Sequence, residues 1–68
     1  MTNVKITTEY IRLDDLLKLM GEASTGGHAK FLIKGGEVSV NGEICLMRGK
    51  KLRAGDMVEY NNKTFLVE

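Results

Sequence analysis

Four cations, Arg48, Lys50, Lys51 and Arg53, fall within six consecutive positions with no acidic residue among them. Like charges held this close repel unless anions or water compensate them, so the segment suits a polyanionic partner, with a solvated loop as the bland alternative. Lys30 and Lys34 are four residues apart, a spacing that puts both on one face of a helix and makes a positive ridge. Between Ser24 and Ala29 lies Thr25-Gly26-Gly27-His28. Backbone N–H groups at a helix start attract phosphate, and glycine lets the anion come close. The same residues also suit a tight turn between helices, and they lack the full spacing of a nucleotide-binding glycine loop.

The formal net charge of +1 conceals an uneven distribution. Residues 1–29 carry three basic and four acidic side chains (−1), residues 30–53 six and two (+4), and residues 54–68 one and three (−2). One third of the chain therefore holds the positive charge, as a surface that meets phosphates would require. Catalytic readings find little support. The lone histidine, His28, has no serine or cysteine nucleophile patterned around it. Asp14 and Asp15 are adjacent on a helix and point about 100° apart, which suits helix-dipole partners better than a shared reaction centre. One cysteine, Cys45, and one histidine cannot complete a four-ligand zinc site or an internal disulfide. No catalytic residue, metal or cofactor is expected.

A chain of 68 residues is one small domain, burying about 60% of the surface its unfolded form exposes, so function belongs on the surface. No apolar run approaches a membrane span, and the N-terminal residues do not resemble a signal sequence. The expectation is a soluble cytoplasmic protein, a monomer, with no membrane partner.

The elements that would position these cations follow from periodicity. Leu13, Leu16, Leu17 and Met20 mark one helical face, with Asp14 and Asp15 in the first turn and Gly21 as a stop. A second helix opens at a Ser24 or Thr25 cap, buries Ala29, Leu32 and Ile33, and ends at Gly35-Gly36. Phe31 is placed in the core, and an exposed role for Tyr10 is left open. Val38 and Val40 then alternate with polar neighbours into Asn41-Gly42, the signal for a type I′ hairpin. A two-residue turn pairs Val38 with Cys45, whereas a bulge would bring Ile44 to that face, and both registers stand. Residues 47–53 form a basic loop pinned by Leu52, followed by a turn at Ala54-Gly55-Asp56. A strand from Met57 to Tyr60, a turn at 61–63 and a closing strand from Thr64 to Val67 complete the chain, with Val4 and Ile6 as a further short strand. The sum is α+β: two helices packed on a small, mostly antiparallel sheet.

Arg12-Leu13-Asp14-Asp15-Leu16-Leu17, Ala29-Lys30-Phe31-Leu32-Ile33, Gly36-Glu37-Val38-Ser39-Val40-Asn41-Gly42, and Lys51-Leu52 with Gly55-Asp56 and Val58 together resemble the S-four domain, the alpha-L RNA-binding motif, over about residues 10–60. Thr25 to Lys30 and Arg48 to Leu52 resemble its free-standing bacterial YaaA-like branch. The resemblance implies an RNA-binding surface formed by the starts of both helices and the basic loop, carried by Arg12, Thr25, His28, Lys30, Arg48, Lys50, Lys51 and Arg53. Gly26 stands where many relatives have an arginine, so backbone N–H groups of Gly26 and Gly27 and the Lys30 side chain would replace that contact. The implied partner is structured RNA, ribosomal or transfer RNA, and through it the ribosome, met through phosphates and 2′-hydroxyls more than base edges. Two rivals use the same basic face: an adaptor docking an acidic protein, and a DNA-binding module.

Overall fold

The computed structural model describes residues 1–68. The leucine face after Arg12 forms α1 (Leu13–Leu19), with Leu13, Leu16 and Leu17 fully buried and Met20 just past its end. The second helix, α2 (Gly26–Lys34), is capped by Thr25, whose hydroxyl oxygen accepts a hydrogen bond from the His28 N–H at 3.0 Å. Ala29, Leu32 and Ile33 are its buried face and pack it on α1. Gly36 follows in the left-handed region at φ 77°, where a Cβ would be strained, and so turns the chain out of the helix.

Phe31 departs from the expectation, being 75% exposed. At about 100° per residue, position 31 lies nearly opposite the Ala29, Leu32 and Ile33 stripe, and the helical phase outweighs the general preference of phenylalanine for the interior.

Seven short strands complete the fold: β1 (Thr2–Val4), β2 (Ile11–Arg12), β3 (Ser39–Val40), β4 (Glu43–Ile44), β5 (Lys51–Leu52), β6 (Met57–Tyr60) and β7 (Lys63–Val67). Five make one sheet in the order β1-β7-β6-β3-β4, antiparallel except for the parallel pairing of β1 with β7. Val38, Val40, Val58, Phe65 and Val67 join the inner faces of both helices in a single apolar core. The class is α+β, two helices on a mostly antiparallel sheet, as the residue periodicities imply. No helix is long and apolar enough to cross a membrane.

The hairpin register is decided by its turn. Asn41 and Gly42 have φ of 51° and 86°, as a two-residue type I′ turn requires, and Val40 faces Glu43 while Ser39 faces Ile44. The Cys45 N–H then donates to the Val38 carbonyl at 2.9 Å. Cys45 packs partly buried against the core and Ile44 is left exposed.

One pairing has no counterpart in the sequence reading: β2 and β5 form a separate two-stranded ladder, with Ile11 opposite Leu52 and Arg12 opposite Lys51. Leu52 is fully buried beneath it, so the end of the basic segment is strand rather than loop.

Candidate nucleic-acid interface

The first-turn N–H groups of a helix have no partners within the helix and need acceptors from elsewhere. Arg12, at the N-cap of α1, supplies no side-chain acceptor. The basic segment does so with its main chain: the Leu13 N–H donates to the Lys50 carbonyl at 2.9 Å, and the Asp14 N–H to the Arg48 carbonyl at 3.0 Å. The backbone of the loop is thus the cap of α1. Because carbonyls make these bonds, the side chains of Arg48 and Lys50 are not required to hold the loop in place.

Asp14 secures the junction from the other side. Its carboxylate accepts from Arg12 Nε at 3.2 Å and Arg12 Nη2 at 3.0 Å, and also from the Asp15 N–H at 2.9 Å. Asp14 is only 6% exposed, and these bonds satisfy it. A bidentate guanidinium–carboxylate pair fixes orientation as well as charge. Gly49 lies against this pair, where an added Cβ would sit 3.5 Å from Arg12 Nη2.

The far end of the segment is anchored equally well. The Asp56 carboxylate accepts from the Arg53 N–H at 2.8 Å and from the Asn41 amide at 3.0 Å, while Asn41 Oδ1 accepts from the Met57 N–H at 2.9 Å. The Arg53 N–H bond, followed by the Asn41 bond, holds the Asp56 carboxyl below its ordinary pKa. Tyr10 provides a floor for two cations, with Lys51 Nζ 5.0 Å and the Arg53 guanidinium 5.8 Å from its ring centroid.

The ion pairs of the molecule are Arg12–Asp14, Lys18–Asp15, Arg53–Glu9 and Lys63–Glu22. Of the six cations in residues 30–53, only Arg53 belongs to one, at 3.9 Å and between exposed side chains, a geometry worth little in water. Lys30, Lys34, Arg48, Lys50 and Lys51 are exposed and unpaired. Across the β2–β5 ladder Arg12 and Lys51 stand directly opposite each other, with the Asp14 carboxylate compensating Arg12 while Lys51 has no carboxylate partner.

Among the residues expected at the site, Arg12, Arg48, Lys50, Lys51 and Arg53 are brought together at the start of α1. Thr25, Gly26, Gly27, His28, Lys30 and Lys34 form a separate group at the start and along the outer face of α2, the helix whose buried stripe packs on α1. Within it His28 is turned back on the cap, its Nδ1 accepting from the Ser24 N–H at 3.1 Å. A Cβ at Gly26 would meet nothing within 4 Å, so packing does not demand glycine there. Sequence reasoning missed the parts played by Asp14 and Gly49 and left that of Tyr10 open. One usable signal was an arginine at the N-cap of a helix, which leaves the cap to be supplied from elsewhere.

A family model described as S4 domain matches residues 4–68. Over 56 residues the chain is 45% identical to a protein of Bacillus subtilis (strain 168) named probable ribosome maturation protein RlbA, the match covering 82% of this chain and 79% of that one. The solution structure of YbcJ from E. coli, reported to reveal an alfaL motif involved in RNA-binding, aligns with a TM-score of 0.72 and 31% identity over 98% of this chain and 86% of that one.

Proposed function

This chain belongs to the S4 domain family, and from that premise we propose that it binds structured RNA as a non-catalytic, ribosome-associated factor. The observation that carries the reading is the division of labour in the basic loop. Its carbonyls at positions 48 and 50 cap α1, while the side chains of Arg48, Lys50 and Lys51 enter no ion pair. A main chain held in place before a ligand arrives loses less conformational freedom on binding, which raises affinity for an array of phosphates met by the cations it carries.

In this proposal Arg48, Lys50 and Lys51 are the principal phosphate contacts, with Arg12 and Arg53 beside them. Thr25, Gly26, Gly27 and His28 at the start of α2, with Lys30 and Lys34 on its outer face, extend the footprint. The RNA is ribosomal, met by one copy of the chain in the cytoplasm. The names of the two relatives, one tied to ribosome maturation and one to RNA binding, support this choice over transfer RNA, duplex DNA or an acidic protein. Phosphate and 2′-hydroxyl contacts suit the shallow minor groove of A-form RNA.

Replacing Arg48, Lys50 and Lys51 by alanine tests the proposal. The triple variant should fold normally, since the bonds that hold the loop against α1 are made by its carbonyls and not by these side chains. Its affinity for deproteinised ribosomal RNA should fall, and the slope of log affinity against log salt should become shallower by about 0.7 to 0.9 per lost phosphate contact. An unchanged slope in a folded variant would remove the loop as the contact surface. Competition with duplex DNA at equal salt separates the two polymers.

A further inference from the structure

The four aromatic residues have different surroundings. Phe65 is in the core and Tyr60 packs against it. Tyr10 carries Lys51 and Arg53 over its ring. Phe31 is 75% exposed and belongs to neither the core nor a cation–π contact.

Nothing in the packing of α2 requires an aromatic there, because Ala29, Leu32 and Ile33 form the buried face. The surroundings of Phe31 are specific, however. Lys30 precedes it and Lys34 follows three positions later, both exposed and unpaired. Gly27 lies one turn earlier on the same face, toward which a helical side chain at position 31 projects. A Cβ at Gly27 would meet only the Thr25 hydroxyl oxygen at 3.9 Å, so the helix surface one turn before the exposed ring is uncovered. The patch therefore combines a flat apolar ring, an unobstructed approach and two ammonium groups.

A ligand matching all three is planar, aromatic and attached to a phosphate. We infer that Phe31 stacks on one unpaired nucleobase of the bound RNA while Lys30 and Lys34 hold the phosphates flanking it. The inference rests on the RNA-binding reading and adds what that reading lacks, a contact that selects irregular RNA over uniform duplex. Paired bases keep their faces stacked within the helix, whereas bases in bulges and loops can be splayed onto an aromatic side chain. A single ring serves a single base, in keeping with the absence of an aromatic cluster elsewhere in the chain.

The chain contains no tryptophan, so Phe31→Trp introduces a unique fluorophore at the proposed stacking position. Two probes are titrated: deproteinised ribosomal RNA, rich in unpaired bases, and a blunt, fully paired RNA duplex. Ribosomal RNA should quench the emission of Phe31→Trp and the duplex should not. Phe31→Leu, which keeps an apolar side chain at an exposed site and so leaves the fold alone, should weaken ribosomal RNA binding by about fivefold or more. Because stacking is uncharged, its salt slope should match that of the wild type, and its duplex binding should not change. Wild-type affinity of Phe31→Leu for ribosomal RNA, or no quenching in Phe31→Trp, overturns the inference. If the Arg48, Lys50 and Lys51 triple variant still loses binding in that case, the RNA-binding reading survives alone. If the wild-type chain binds neither RNA, both fall together.

Discussion

The basic loop and the outer face of α2 both present unpaired cations, but they hold them by different means. On α2 the positions of Lys30 and Lys34 follow from helix geometry, and the helix is secured by its own Thr25 cap and buried stripe. The loop has no such local rule. Its course is fixed by partners far away in the chain: the N–H groups of Leu13 and Asp14, the β2 strand, and the Asn41–Asp56 contact. The difference teaches that one cationic patch is a local property of its sequence and the other a tertiary one. Only the second should be destroyed by a change that touches none of its charges.

Leu52→Ala offers the sharpest way to break the comparison. Leu52 is fully buried beneath the ladder that carries the loop, and truncating such a side chain costs about 2 to 5 kcal/mol. A domain of this size has a total stability of roughly 3 to 10 kcal/mol, so chemical denaturation should show a large loss. Under conditions where the variant is still folded, its RNA affinity should also fall, although every cation remains.

A smaller effect separates the patches by charge. Lys30→Ala with Lys34→Ala should reduce the salt slope by less than the three-residue loop variant does, at about 0.7 to 0.9 per phosphate contact. Equal reductions would mean that α2 meets as many phosphates as the loop does.

Thr25→Ala removes the cap of α2 and should lower stability by about 1 kcal/mol, read as a shift in thermal unfolding. The α1 junction and its loop should be undisturbed, so chemical shifts near Arg48 should stay in place.

The weakest expected effect is one of pH. The carboxyl of Asp56 has a folded pKa below its ordinary value of 3.8, so its contribution is complete above that value and disappears as the pH falls through the lower folded one. Asp56→Asn should therefore be less stable than the wild type at neutral pH, and the gap should close in acid. A gap that stays constant to the lowest pH would show that the Arg53 N–H and Asn41 bonds do not depend on the charge.

How much of this could be read from the sequence tracks the same distinction. Both helices, the Asn41-Gly42 turn and the strand from Met57 to Tyr60 depend on neighbours within a few positions, and each was legible. The choice between Ile44 and Cys45 needed the register that only the closed turn supplies. The β2–β5 ladder was not legible, because two residues at each side of a long separation give no periodicity, and with it went the capping of α1 by the loop. Phe31 is a different case. The helical phase set by Ala29, Leu32 and Ile33 already turns it outward, and it was residue type that pointed inward. The cations themselves were visible as a run, but not the anchoring of the main chain that carries them.

The central claim is that the junction between the start of α1 and residues 48–53 is where RNA is met. Backbone amide chemical shifts recorded while deproteinised ribosomal RNA is added test this most directly. Changes and broadening should concentrate at Arg12 to Asp14 and Arg48 to Arg53, with a second, weaker set from Thr25 to Lys34. Perturbations gathered instead on β1 and β7, with the junction unmoved, would contradict the account.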